Sequence, residues 1–262
     1  MNNGTIGIIG LGFVGSAIKE SFPWETLILI DPDKGYNSPY ADLLTCDAVF
    51  VCVPSPQRED GTCDVSILRS VLSKLRDLNY NGVIISKCTA PPDVYEQLND
   101  CYPNLVHSPE FLTAANATAD YLNSKFLIIG GRITAYVREA ERVITTGLSN
   151  IQHSYLCSIG EAALAKYTIN TFLATKVVFM NEIYSLSKSL NLDYEKITEM
   201  INLDPRIGSS HLQVPGPDES FGFGGACFPK DTAALLQIAR QYEVEMSVLE
   251  AAVKKNTLLR LK

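Results

Sequence analysis

A glycine-rich hexapeptide near the N-terminus constrains the fold of this chain more than any other feature. The apolar, β-branched run 5–9 predicts a buried strand, the hexapeptide GLGFVG follows at positions 10–15, and residues 16–22 continue as a predicted helix. Glycines at such a junction permit a tight turn, the close approach of a phosphate, and close packing of the helix on the strand. An ordinary glycine turn is the alternative, because the hexapeptide alone is a weak signal.

The context of the hexapeptide favours a dinucleotide site. Asp31 ends the next apolar run about twenty residues on, where an acid that binds a ribose 2′-hydroxyl is expected. Its carboxylate would repel a 2′-phosphate, so NAD is favoured over NADP. The pyrophosphate would lie at the N-terminus of the predicted helix, where unpaired N–H groups and the helix dipole favour anions. The residues expected to contact the cofactor here are Gly10, Gly12, Phe13, Val14, Gly15 and Asp31.

The predicted elements divide the chain into two domains. Strands and helices alternate through residues 1–156, which indicates an α/β domain with a doubly wound, mostly parallel sheet. Residues 157–262 predict an all-α domain that begins with one long helix at 160–190, and such a helix is often a scaffold between halves of a protein or between subunits. The predicted strands lie at 5–9, 27–30, 48–53, 82–86, 105–107, 126–129 and from 151, and the other predicted helices at 65–78, 133–148, 194–202 and 231–242.

Composition excludes several classes of function. The net charge of −7, with no clustered basic stretch, argues against nucleic acid as a partner. No run approaches the ~18 apolar residues that a membrane span needs. The seven cysteines are irregularly spaced and include no CxxC pair, so neither a zinc site nor a redox dithiol is expected. A reducing, cytoplasmic environment fits this pattern.

Two segments of the second domain carry candidate chemistry. Lys166 and Asn170 are four residues apart on the long helix, so they share a face from which they could stabilise an oxyanion. The segment FGFGGACFPKD at 221–231 places Cys227 after three glycines and shortly before a predicted helix, whose N-terminus favours a thiolate. The alternatives are a solvated helix face for the pair and a buried structural cysteine for Cys227.

Two loops of the first domain also follow predicted strands, where open α/β sheets bind ligands. Glu110, in the segment HSPEFL, could act as a base towards water, or it could be an ordinary surface carboxylate. Thr89, in the segment KCTAPP, could offer its hydroxyl to a ligand, or it could simply form a turn before two prolines.

Taken in order, these motifs resemble the UDP-glucose/GDP-mannose dehydrogenase family. The stretches that carry the resemblance are GLGFVG (10–15), CVPSP (52–56), KCTAPP (87–92), SPEFL (108–112), EAALAKYTINTFLATKVVFMNEI (161–183), DPRIG (204–208) and FGFGGACFPKD (221–231). The resemblance implies a nucleotide-sugar substrate and NAD as cofactor. It also implies a four-electron oxidation of a C6 alcohol to a carboxylate, through a thiohemiacetal and then a thioester on Cys227.

The resemblance also implies roles for individual residues. Lys166 and Asn170 would stabilise the oxyanion, Asp231 and Thr89 would order the attacking water, and Glu110 would be the general acid/base for thioester hydrolysis. Pro54, Thr89 and Lys230 would lie near the cofactor, and the resemblance implies a homodimer through the long helix at 160–190. The residues that would contact the sugar nucleotide are Glu110, Phe111, Leu112, Lys166, Asn170, Arg206, Phe221, Gly222, Phe223, Gly224 and Gly225.

The sequence departs from the family pattern at three places. Family members usually continue into a further domain that holds the nucleotide base, whereas this sequence stops at Lys262. We expect that domain to be a separate chain, part of a longer chain, or dispensable. The stretch 31–47 is shorter than usual, and Ala114 stands where the family usually has a second glutamate.

Two other functions compete with this hypothesis. The 6-phosphogluconate and 3-hydroxyacid dehydrogenases share the predicted layout and a Lys-x-x-x-Asn pair, but they oxidise once and need no cysteine. A non-catalytic NAD-binding subunit of a split enzyme is the second alternative. The segment 221–231 argues against the first, and the complete set of candidate side chains argues against the second.

Overall fold

The computed structural model describes residues 4–23, 25–113 and 116–261, and it divides the chain into two compact units. The first unit comprises the residues up to Arg58 together with Cys63–Lys166. The second comprises Glu59–Thr62 and the residues from Tyr167 onward. The units therefore divide at 166/167, whereas the domain boundary at 156/157 stays a prediction.

The first unit contains an eight-stranded sheet in the order β3-β2-β1-β4-β5-β6-β7-β8. The pairings are parallel except those of β2 with β3 and of β6 with β7, which confirms the predicted doubly wound, mostly parallel sheet. The strands are β1 (Thr5–Ile9), β2 (Thr26–Asp31), β3 (Tyr36–Asn37), β4 (Ala48–Val51), β5 (Val83–Ser86), β6 (Leu105–His107), β7 (Phe126–Gly130) and β8 (His153–Cys157).

In the described part of the first unit, five α-helices precede the long helix that begins at Ile159. They are α1 (Phe13–Ser21), α2 (Ser66–Asp77), α3 (Pro92–Cys101), α4 (Ala117–Leu122) and α5 (Thr134–Gly147). The sequence did not predict α3, because its proline pair suggested a turn, yet Pro92 is compatible with a first helical position. The strands β1 and β4 supply Ile8 and Phe50 to a core that also contains Ile144 of α5.

The second unit is helical in its described residues. The long helix α6 (Ile159–Ser189) has 31 residues, of which those from Tyr167 onward belong to this unit. The other helices are α7 (Tyr194–Ile201), α8 (Phe228–Gln241) and α9 (Ser247–Arg260). Helix α8 begins three residues before the predicted start at 231, so Cys227 is its N-cap residue. Among the described helices, none is long and apolar enough to cross a bilayer.

Two small cores stabilise the second unit. The first joins Ala174 and Val178 of α6 to Phe223 and to Ala252 and Leu259 of α9. The second consists of Met180, Tyr194 and Leu212. The segment that precedes Cys227 is therefore packed into a core through Phe223, although it contains three glycines.

Candidate active site

The three glycines of the hexapeptide have different surroundings, which match their predicted tasks. Gly10 has a φ of +88°, and a Cβ there would lie 2.7 Å from the carbonyl oxygen of Cys52. A Cβ at Gly15 would overlap the carbonyl group of Gly10, so glycine is required for α1 to pack this closely. A Cβ at Gly12 would meet no atom within 4 Å. The open side of the turn is therefore at Gly12, where a pyrophosphate could approach.

Asp31 is tied to the glycine turn. Its Oδ2 accepts a hydrogen bond of 2.6 Å from the backbone N–H of Leu11. Lys34, which the sequence analysis did not single out, donates to the carbonyl oxygen of Leu11 at 2.5 Å. Both side chains lie in or next to the short 3₁₀ helix Pro32–Lys34 that follows β2. The signal that could have found Lys34 was a cation three residues beyond Asp31.

A cavity of about 480 Å³ opens beside this turn in the first unit. Gly12, Phe13, Ser16 and Lys34 line one part of it, and residues 116–119 line the rest. The exposed glycine, the N-terminus of α1 and a lysine provide the donors that phosphates need. The cavity, together with Asp31, therefore fits NAD.

Glu110 and Lys166 form a buried ion pair within the first unit. The Lys166 Nζ is 2.9 Å from Glu110 Oε1, and it also donates to the Glu110 carbonyl oxygen. The other carboxylate oxygen of Glu110 accepts from the backbone N–H of Leu112 at 2.8 Å. The ammonium lies 5.2 Å from the ring centroid of Phe111. Because Lys166 is 4% exposed, the solvated-face interpretation of this lysine is wrong.

A second buried cation, Lys87, lies at the end of β5. Its Nζ donates to Ser108 Oγ at 2.9 Å, which connects the KCTAPP segment with the SPEFL segment. Burial lowers the pKa of the Lys87 ammonium to about 8. Thr89, two residues further on, is half-buried, and its carbonyl oxygen accepts from Cys63 Sγ at 3.3 Å. The sequence analysis assigned Lys87 no role, although a lysine directly after a buried strand was a usable signal.

Asn170 and Asp231 meet in the second unit. Asn170 Nδ2 donates to Asp231 Oδ2 at 2.6 Å, and Lys230 Nζ lies 2.5 Å from Asp231 Oδ1. Asn170 is 6% exposed and Asp231 is 1% exposed, so this carboxylate is buried with partners on both oxygens. The two residues come from α6 and the first turn of α8, 61 positions apart in the chain.

Cys227 is exposed at the N-terminus of α8. Its carbonyl oxygen accepts the backbone N–H of Asp231 at 2.8 Å, which places the cysteine one helical turn before the buried carboxylate. The helix N-terminus favours a negative charge at this position. A buried structural cysteine, the alternative considered for Cys227, is therefore excluded.

The remaining predicted site residues have varied environments. Gly225 is exposed, whereas Gly222 and Phe223 are buried. Arg206 is exposed and forms an ion pair with Asp204 at 2.6 Å. The arginine hydrogen bonds lower the pKa of the Asp204 carboxyl. Pro54 is exposed, and Ala114 lies outside the described residues. The half-buried residues among the predicted site are Val14, Phe111, Leu112, Phe221 and Gly224.

The chain matches a known family over most of its length. Residues 37–146 match the NAD binding domain of the UDP-glucose/GDP-mannose dehydrogenase family, and residues 160–258 match its central domain. This chain belongs to the UDP-glucose/GDP-mannose dehydrogenase family, which confirms the resemblance inferred from the motifs.

Its relatives include UDP-glucose 6-dehydrogenases. One from Rickettsia bellii is 31% identical over 82% of this chain and 50% of its own length. A putative UDP-glucose 6-dehydrogenase of Bacillus subtilis, YtcA, is 33% identical over 79% of this chain and 49% of its own length. This chain therefore spans about half the length of the curated relatives it matches.

Solved structures show the same fold. A UDP-glucose dehydrogenase from Pyrobaculum islandicum superposes with a TM-score of 0.80 at 24% identity, covering 97% of this chain and 68% of its own. The 3-hydroxyisobutyrate dehydrogenase of Mycobacterium tuberculosis superposes with a TM-score of 0.73 at 16% identity, covering 96% and 91% respectively. This 3-hydroxyisobutyrate dehydrogenase therefore shares the fold of the chain.

Proposed function

We propose that this chain carries the catalytic machinery of an NAD-dependent nucleotide-sugar 6-dehydrogenase, which oxidises a C6 alcohol to a carboxylate through a thioester on Cys227. The observation that carries the proposal is the exposed Cys227 at the N-terminus of α8, one turn before the buried Asp231. A thiol at such a position is favoured as a thiolate nucleophile. Single-oxidation dehydrogenases need no such residue.

The proposed reaction combines two hydride transfers with a covalent intermediate on the thiol of Cys227. NAD, when bound, accepts one hydride in each oxidation, so two NAD molecules are reduced per sugar. After the first oxidation the Cys227 thiolate adds to the C6 aldehyde, which gives a thiohemiacetal. After the second oxidation the carbon is held as a thioester. Water then cleaves the thioester, releasing the carboxylate and returning the thiol.

Buried polar groups stabilise the charges that develop during these reaction steps. Lys166 and Asn170 donate to the oxygen on C6 as negative charge develops there. Within the second unit Asp231 is held on one side by Asn170 and on the other by Lys230. The family resemblance assigns Asp231 and Thr89 the ordering of the attacking water. Glu110 takes the proton of that water, and its bonds from Lys166 and from the Leu112 N–H fix its carboxylate.

A variant at Glu110 tests the thioester directly. In Glu110→Gln the oxidations remain while hydrolysis loses its base, so the thioester should accumulate to a large fraction of the protein after mixing with NAD and UDP-glucose. Acid-quenched peptide mass spectrometry should find the added uronyl mass on the peptide containing Cys227. Glu20→Gln, an exposed glutamate of the same unit, is the matched control and should accumulate none. An adduct on another cysteine, or none with full turnover, would contradict the proposal.

The chain also carries a surface suited to self-association. Phe172, Phe179 and Leu186 recur every seven residues on α6 and are 68%, 57% and 55% exposed. Such spacing places them on one face, and apolar stripes of this kind mark interfaces. We infer a homodimer through this helix. Sedimentation equilibrium of Phe172→Glu/Phe179→Glu should show monomers, whereas Val248→Glu, a 72% exposed site on α9, should stay dimeric.

UDP-glucose is the proposed substrate because the relatives above carry that name. A separate nucleotide-binding chain would supply recognition of the base if this protein alone shows weak sugar affinity. We place the reaction in the cytoplasm, where the seven cysteines would stay reduced.

A further inference from the structure

The glycine loop before Cys227 is held by two buried asparagines that no motif assigns to the reaction. Asn256 of α9 pairs with both backbone groups of Phe223: its Oδ1 accepts from the N–H at 2.7 Å and its Nδ2 donates to the carbonyl at 3.1 Å. Asn181 of α6 accepts the N–H of Gly222 at 3.1 Å. Three hydrogen bonds therefore fix two consecutive residues of the loop.

The asparagines are themselves immobilised. Asn181 is 1% exposed, and its Nδ2 donates to the carbonyl oxygen of Val177 at 2.8 Å. Asn256 is 8% exposed and lies three residues before Leu259, which packs in the same core as Phe223. Each amide is therefore bonded through both its oxygen and its nitrogen in a buried setting, which favours a single orientation.

The same helix supports the next residue of the loop. A Cβ at Gly224 would lie 2.7 Å from Nη2 of Arg260, and Arg260 Nη1 is held by Asp218 at 2.6 Å. Helix α9 therefore underlies the loop from Gly222 to Gly224. Beyond that point the loop is exposed, from Gly225 to Cys227.

We propose that Asn181 and Asn256 are positioning residues, which fix Gly222 and Phe223 so that the exposed residues 225–227 are presented to the sugar in one conformation. The N–H of Gly222 and both backbone groups of Phe223 serve this support, so we expect the sugar to contact the exposed residues Gly225, Ala226 and Cys227. Supporting groups that lock a reacting side chain reduce the cost of ordering it when the ligand binds. The kinetic consequence of this proposal rests on the proposed function, whereas the structural consequence does not.

Hydrogen–deuterium exchange resolved to single amides tests the support without any turnover. In Asn256→Ala the Phe223 amide should exchange about five- to tenfold faster, and in Asn181→Ala the Gly222 amide should do so, since each loses its acceptor. Thr257→Ala is the matched control, because Thr257 is an exposed neighbour of Asn256 that bonds to its own helix at Val253. Its amides should exchange as in the unchanged protein. Rates within twofold of the unchanged protein in both asparagine variants would overturn the proposal.

Kinetics separate positioning from a general loss of structure. We expect KM for UDP-glucose to rise about tenfold in Asn256→Ala while the dissociation constant for NAD stays within twofold. Both constants rising together would contradict a positioning role. If Asn256→Ala does not fold, Asn181→Ala, which removes a single bond to the loop, decides the question. Absence of turnover in the unchanged protein would contradict the proposed function, and the exchange rates would then decide the asparagine proposal alone.

Discussion

The chain has two glycine loops, and they are held in different ways. In the loop 10–15 the neighbours that forbid a side chain are backbone atoms: the carbonyl of Cys52 at Gly10 and that of Gly10 at Gly15. In the loop 221–225 the corresponding neighbours are side chains, the amide of Asn256 at Gly222 and the guanidinium of Arg260 at Gly224. The conformation of the first loop is therefore set by the packing of a strand and a helix. The second loop depends on side chains of α9, a helix that touches the loop but follows it later in the chain.

This difference decides how each loop tolerates change. Backbone atoms in a packed sheet cannot move away without disturbing their own hydrogen bonds, but a side chain can often rotate. Substitutions at Gly10 and Gly15 of the first loop should therefore affect the stability of the whole unit. Substitutions in the second should have smaller effects that depend on the supporting side chain.

The largest effect is expected for Gly15→Ala. The new Cβ would overlap the Gly10 carbonyl, so we expect a loss of about 3 kcal/mol or more in the free energy of unfolding, measured by urea titration. Gly12→Ala is the matched control, because a Cβ there meets nothing within 4 Å. It should leave stability within about 1 kcal/mol while weakening NAD binding at least about tenfold. Equal losses of stability in both variants would contradict the claim that backbone contacts at Gly15 hold the first loop.

For Gly222→Ala we expect a smaller loss in the free energy of unfolding, and its size should depend on the side chain at position 256. Its φ of +74° costs a non-glycine residue about 1 kcal/mol, and displacement of the Asn256 amide should bring the total to about 2 kcal/mol. In an Asn256→Ala background the obstacle is gone, so the same substitution should cost about 1 kcal/mol. A double-mutant cycle from urea unfolding measures this coupling. A coupling of zero would show that the side chain does not hold the loop.

The sequence predicted the first loop because the elements that define it follow one another along the chain, although the contact of Gly10 with Cys52 is not local. A strand, six residues and a helix follow one another, and Asp31 comes at the expected distance. The support of the second loop could not be predicted, since Asn256 lies 33 residues from Phe223 and Asn181 lies 41 residues from Gly222. Asn181 even falls inside a matched family motif, but nothing in its spacing indicates its partner.

The candidate chemical groups were predicted as a set, but their pairings were not. Periodicity placed Lys166 and Asn170 on one helix face, yet the structure gives them different partners, Glu110 and Asp231. Helix α8 begins three residues before the predicted start at 231, and its first turn accommodates Pro229. This shift moves Cys227 from a loop to the N-cap.

The smallest effect in this series concerns the acid beside the first loop. Asp31→Ala removes the acceptor of the Leu11 N–H and the expected partner of the ribose, so NAD affinity should fall about tenfold by isothermal titration calorimetry. Asp33→Ala, an exposed neighbour, is the control and should bind NAD normally. If both variants bind NAD as the unchanged protein does, Asp31 has no role in holding the cofactor.

The most direct test of the central claim is the number of NADH molecules released per sugar. The protein would be incubated with excess NAD and limiting UDP-glucose, then with GDP-mannose and UDP-N-acetyl sugars, and NADH followed by absorbance. Two NADH per sugar, abolished by Cys227→Ser, is the result that a thioester on Cys227 predicts. One NADH per sugar, unchanged by Cys227→Ser, would contradict the account and assign the chain to the single-oxidation dehydrogenases.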